Sequence, residues 1–114
     1  MMNNIRTELL EHTNGVENIK AVQLALHTDR QSPHNVSLFH LPEGYSSEQL
    51  QSFLFEIDRM YDAGYGRQEL YGFIWWKDGT WSSRFEYDGS ERWEHHVRPT
   101  YPLNREEMLD LIWN

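Results

Sequence analysis

The spacing of apolar positions changes along the chain, and each change predicts an element. From Leu50 the apolar residues fall at Phe53, Leu54, Ile57, Met60 and Tyr61, one stripe at helical period. Pro42 and Gly44 close whatever precedes it, Ser46 is a good N-cap, and Gln49 three residues on completes a capping box. The pattern predicts one long helix over 47–61, ended by Gly64 and Gly66. Upstream, "NIKAVQLALHT" (Asn18 to Thr28) alternates, with Val22, Leu24 and Leu26 on one side. It reads as a strand that returns through "VSLFHL", Val36 to Leu41, after the turn-like "DRQSPHN". Short helices are expected near both termini, one over Asn4 to His12 and one carrying Met108, Leu109, Ile112 and Trp113 behind an Asn104/Glu107 capping pattern.

The stretch from Tyr71 to Pro99 alternates at strand period around two Asp-Gly pairs, Asp78-Gly79 and Asp88-Gly89. Asp-Gly between alternating apolar residues is a strong hairpin signal, because a two-residue turn needs positive φ at both positions. The pattern predicts a three-stranded meander over 68–98, closed by Pro99. A two-residue first turn sets Trp76 opposite Trp81, Ile74 opposite Ser83 and Phe73 opposite Arg84. The second turn sets Arg84 opposite Trp93, Trp81 opposite His96 and, unfavourably, Glu86 opposite Glu91. One flank then carries Leu70, Ile74, Trp76, Trp81, Phe85 and Tyr87, and its uniform apolarity assigns it to the core. The other carries Phe73, Trp75, Arg84, Glu86 and Trp93, the aromatic-plus-arginine mixture typical of interface hot spots. Terminal helices folded over this second flank would make it interior instead. The whole reads as a single α+β domain over 1–114, with an antiparallel sheet of about five strands packed on the long helix.

Composition narrows the function. The chain has 114 residues, 18 carboxylates against 10 Lys plus Arg, and a formal charge of −8. Such a balance argues against direct nucleic acid binding, because phosphate contacts need surface cations. It suits ordinary solubility, or a protein that copies the charge of nucleic acid, with Glu56, Asp58 and Asp62 as the mimicking face. Cysteine is absent, which removes disulfides and thiolate chemistry and fits a reducing cytoplasm. The start, Met1 to Arg6, lacks the apolar core of a signal peptide, and no apolar run approaches the roughly 18 residues that cross a bilayer.

Catalytic motifs are weak. His95 and His96 are neighbours on a strand and point to opposite faces, while His27, His34 and His40 flank a loop without ligand spacing. No metal and no cofactor is expected. Glu86, Asp88, Glu91 and Glu94 sit with Arg84 and His95, but turn chemistry and strand alternation explain them, and Ser82-Ser83 follows no nucleophile-elbow pattern. No catalytic residue is assigned.

The segment from Tyr61 to Pro102 is similar to small acidic proteins of bacteriophages and prophages. The resemblance rests on Asp78-Gly79-Thr80-Trp81, then Arg84-Phe85-Glu86-Tyr87-Asp88-Gly89-Ser90-Glu91 and Trp93. Those proteins often carry two tryptophans after that glutamate, where this chain has Arg92-Trp93. The resemblance implies a mobile-element origin more than any activity, and carries over no catalytic residue.

Together these features point to a non-enzymatic, cytoplasmic binding protein that inhibits a host nuclease or defence complex (an anti-restriction or anti-CRISPR role). The partner expected is a host protein with a basic nucleic-acid-binding surface, with no membrane contact and self-association into a homodimer open. Competing readings are a sponge for a signalling nucleotide, an immunity or antitoxin protein, and a small hydrolase using Arg84, Glu86 and His95.

Overall fold

The computed structural model describes residues 2–13, 15–28, 36–63, 68–87, 90–97, 102, 104–106 and 108–109. Its elements are β1 (Met2–Asn4), α1 (Ile5–His12), a 3-10 turn (Val16–Asn18), β2 (Ile19–His27), β3 (Val36–Leu41), α2 (Ser47–Glu56), β4 (Met60–Asp62), β5 (Leu70–Trp76), β6 (Trp81–Tyr87) and β7 (Ser90–His96). Five strands form one antiparallel sheet in the order β3-β2-β5-β6-β7, and β1 pairs with β4 in a two-stranded ribbon. The fold is α+β.

The helices start where the side chains can satisfy them. Ser46 Oγ accepts from the Gln49 N–H at 3.1 Å and Gln49 Oε1 accepts from the Ser46 N–H at 2.8 Å, the reciprocal capping box. Asn4 Oδ1 caps α1 through the Thr7 N–H at 2.9 Å. Ile5 and Leu9 of α1, and Phe53, Leu54 and Ile57 in and just after α2, join Val22, Leu24, Leu41, Leu70 and Ile74 in one core. Both helices therefore cover the same face of the sheet.

The helix expected over 47–61 stops at Glu56, four residues past Ser52, and its last part becomes a strand. Ile57 caps it with φ −89° and ψ 4°, and the Ile57 N–H reaches back to the Phe53 carbonyl at 3.1 Å. Met60–Asp62 then pairs with Met2–Asn4, burying Tyr61 and exposing Met60. The stripe that predicted a longer helix was ambiguous there: Ile57 and Tyr61 point inward under either period. The glycines proposed as its stop, Gly64 and Gly66, lie outside the described residues, as do Ile112 and Trp113 of the expected last helix. In that last stretch Met108 N–H donates to the Asn104 carbonyl at 3.1 Å.

The β5–β6 hairpin departs further from the alternation. In the β5–β6 hairpin Trp75 pairs with Trp81, Ile74 with Ser82 and Phe73 with Ser83, one residue away from the expected register. The turn has three residues instead of two. Trp76 N–H donates to the Thr80 carbonyl at 3.0 Å, Gly79 N–H donates to the Trp76 carbonyl at 3.2 Å, and Gly79 takes φ 89°. That is a type I turn closed by a glycine bulge. Asp78 Oδ1 holds it by accepting from the Thr80 N–H at 2.9 Å and the Thr80 hydroxyl at 2.5 Å. A one-residue slip turns every side chain of the strand to the other face. Ser82 and Arg84 therefore enter the core, while Trp81 and Phe85, assigned to the core from sequence, turn outward.

The β6–β7 register is Arg84 with Trp93, Trp81 with His96 and Glu86 with Glu91, as the alternation suggests. Because β6 is inverted, β7 is inverted with it, and Trp93 follows Arg84 inside.

Candidate functional site

The sheet has two faces of different character. Its outer face, opposite the helices, carries Leu38 on β3, Tyr71, Phe73 and Trp75 on β5, Trp81, Phe85 and Tyr87 on β6, and Arg92, Glu94 and His96 on β7. No described element covers it: Leu38 is 77% exposed, Tyr87 68% and Phe73 46%. The rings lean on each other. Phe73 and Trp75 lie 5.7 Å apart, Trp81 stacks on His96 at 5.5 Å, and the Arg92 guanidinium sits 5.0 Å above Phe85. Phe73, Trp75, Gly79 and Trp81 line a shallow depression of about 320 Å3 on this face. Glu94, 4.0 Å from His96, is the one carboxylate that alternation places here among the described residues.

The eight residues expected to meet a partner divide between the faces. Phe73 and Trp75 lie on the outer face as expected. Arg84 and Trp93 do not: they are 8% and 9% exposed and pack under the helices. Glu86 shares their side of the sheet, because it pairs with the buried Glu91. Glu56, Asp58 and Asp62 are exposed at the end of α2, in the link that follows it and on β4, so the acidic group is away from the aromatic face. Asp58 also accepts from Asn4 Nδ2 at 2.9 Å, which ties it to the start of α1. Trp81, Phe85 and Arg92 join the outer face in place of the residues that leave. The signal for this was Asp78-Gly79-Thr80, where the carboxylate reaches the threonine across a three-residue turn.

Beneath the sheet, Arg84 organises a buried polar group. Its Nη2 donates to the Tyr61 hydroxyl at 2.6 Å, and it lies 3.6 Å from Glu91 and 3.9 Å from Glu8. The Tyr61 hydroxyl donates to Glu8, and Glu91 accepts from the backbone N–H groups of Glu69 and Leu70 at 3.0 and 3.1 Å. The guanidinium also faces the rings of Trp93 at 5.2 Å and Tyr61 at 5.6 Å. Burial pushes the Glu91 carboxyl up, opposed by those backbone donors and by Arg84. Burial and the bond to Glu8 likewise push the Tyr61 phenol up. The opposed Glu86–Glu91 pair is tolerated because Glu91 turns toward these donors.

The chain matches no protein family, no curated protein and no solved structure.

A second polar cluster lies where α1 meets β6 and β7. Ser82, fully buried, has His12 Nε2 at 2.8 Å, Trp76 Nε1 at 3.0 Å and His95 Nδ1 at 3.3 Å around its hydroxyl. His12 stacks on Trp93 at 5.9 Å, and its pKa is lowered by burial first, then by His95 and Arg84. A hydroxyl beside an imidazole resembles a nucleophile dyad, but Ser82 has no exposed surface for a substrate to reach. Among the described residues no group of three or more His, Cys, Asp or Glu is placed to hold a metal ion. No helix among them is long and apolar enough to cross a membrane.

Proposed function

We propose that the protein is a non-enzymatic binding module of phage or mobile-element type, which inhibits a host nuclease or defence complex by docking the outer face of its sheet on that protein. The observation that carries this is the band Tyr71, Phe73, Trp75, Trp81, Phe85 and Tyr87, exposed or half-buried, which no described element covers. Trp, Tyr and Arg dominate the energetics of protein contacts because they desolvate a large, stiff area per side chain. Four such rings, Tyr71, Trp75, Trp81 and Tyr87, with Arg92 on adjoining strands supply that without ordering a loop.

Charge has a separate role here. The carboxylates on α2, on β4 and in the link between them lie off the aromatic face, so they act at a distance: they raise the encounter rate with a basic nucleic-acid-binding surface and repel nucleic acid itself. Residence time then falls to the rings and association rate to Glu56, Asp58 and Asp62.

Capture on the tagged full chain from a bacterial lysate, with identification by mass spectrometry, supplies the partner. The Phe73→Ala/Trp75→Ala variant should release it at least about tenfold faster, the scale of losing one hot-spot residue. Replacing Glu56, Asp58 and Asp62 by their amides should slow association and flatten its salt dependence, with dissociation unchanged. Equal dissociation from the wild type and the double aromatic variant would refute the assignment of the face.

A further inference from the structure

A cavity of about 460 Å3 opens between the end of α1, the 3-10 turn at Asn18, the β5–β6 turn and the end of β7. His12, Trp76 and His95 form its inner wall, with Lys77, Asp78 and Thr80 at the turn. Hydrogen-bond geometry around Ser82 fixes what this wall offers a visitor. A serine hydroxyl donates once and accepts twice. Trp76 Nε1–H can only donate, so it takes one accepting position of Ser82. The two imidazoles share what remains, one accepting the Ser82 proton and the other donating an N–H to it. In a neutral imidazole the second nitrogen has the opposite character to the first. The ring that accepts from Ser82 therefore shows an N–H elsewhere, and the ring that donates to Ser82 shows a lone pair. In either tautomeric arrangement, Nδ1 of His12 and Nε2 of His95 are one donor and one acceptor.

This coupling selects the ligand. Chelation of a metal by both rings needs two lone pairs, which would aim three N–H donors at one hydroxyl oxygen and leave the serine proton unplaced. A neutral heterocycle with a donor and an acceptor side by side on one edge meets no such conflict, and aromatic walls suit its faces. We propose that this cavity is a binding site for a nucleobase, with its hydrogen-bonding edge on His12 and His95 and its ring against Trp76. Reversing the Ser82 proton and both tautomers exchanges donor and acceptor, so the site accepts bases of either edge order. Lys77 and Asp78 carry opposite charges at the mouth, so a 5′-phosphate contributes little. The site is on the helix side of the sheet and is independent of the outer face.

The test titrates the full chain with adenosine, uridine, adenosine monophosphate and inorganic phosphate, reading imidazole resonances by NMR and tryptophan fluorescence. Both nucleosides should shift His12 and His95 saturably, the monophosphate should bind within about twofold of adenosine, and phosphate alone should shift neither. His95→Ala, at an exposed position that leaves the core intact, and Ser82→Ala should each weaken binding about tenfold, the scale of one hydrogen bond. Phe73→Ala/Trp75→Ala should leave it unchanged. Unmoved imidazoles at about 5 mM nucleoside would overturn the site. Stoichiometric Zn2+ binding that engages both rings in the wild type would overturn the tautomer coupling behind it.

Discussion

Replacing Arg84 with methionine removes a cation whose side chain is entirely buried while leaving the volume nearly filled. Removing one partner of a buried ion pair costs about 3–5 kcal/mol, because the other charge stays behind without compensation. Here the stranded group is Glu91, 2% exposed in its side chain, which keeps its two backbone N–H donors. The Tyr61 hydroxyl likewise keeps Glu8 as its acceptor. These retained bonds place the cost at the lower end, about 3 kcal/mol. For a chain of 114 residues that corresponds to a fall of about 12 °C in Tm. Urea unfolding followed by tryptophan fluorescence measures it directly. A second signature separates this from loss of packing. Arg84 opposes part of the rise that burial imposes on the Glu91 carboxyl, so without it Glu91, already raised in the wild type, takes up a proton in the folded state at a still higher pH. A carboxyl raised in this way favours the folded state in acid and loses that contribution as pH rises through its folded pKa. The deficit of Arg84→Met should therefore shrink as pH falls from about 7 to about 4, and Glu91→Gln in the same background should recover part of it at neutral pH. A deficit below about 1 kcal/mol, or one that does not change with pH, would refute the buried-charge account.

Further outcomes follow from the same geometry. Gly72 takes φ 148°, and a methyl group there would meet the Gln23 carbonyl oxygen at 2.2 Å and Leu24 Cα at 3.0 Å, so Gly72→Ala should cost more than about 3 kcal/mol, read by solubility and circular dichroism. Burial lowers the His12 pKa below its ordinary 6.5, so His12 contributes stability above that value that is lost as pH falls toward the folded pKa. The stability difference between the wild type and His12→Gln should narrow below about pH 6.5, and a constant difference across that range would count against it. Ala at Gly79, which takes φ 89°, should destabilise by about 1 kcal/mol in urea unfolding, and Asn at the same position by less, since asparagine tolerates positive φ.

Much of the fold is legible in the pattern of side chains. Val36–Leu41 is a strand as alternation implies, the Ser46/Gln49 capping box forms atom for atom, and the β6–β7 register is the expected one. What the pattern leaves open is turn geometry. Asp-Gly satisfies a two-residue turn and a three-residue turn with a bulge equally well, and only the reach of Asp78 to Thr80 distinguishes them. The ambiguity is local, but its consequence spans the sheet: it exchanges Trp81 for Arg84 and carries Trp93 inside. Apolarity misleads at this point because Arg84 is charged and still buried. Its partners, Glu8, Tyr61 and Glu91, come from three distant parts of the sequence, and no short window brings them together. The Ser82 cluster is equally silent in sequence, joining His12 to a serine 70 residues away.

Recognition through the outer face is tested most directly by hydroxyl-radical footprinting of the complex with the captured partner. The probes are Tyr71, Phe73 and Tyr87 on that face, and Phe55 on α2, which is 82% exposed on the helix side. Binding should protect Tyr71, Phe73 and Tyr87 while Phe55 stays as reactive as in the free protein. Protection of Phe55 with the three sheet residues unchanged would contradict it and move the contact to the helices.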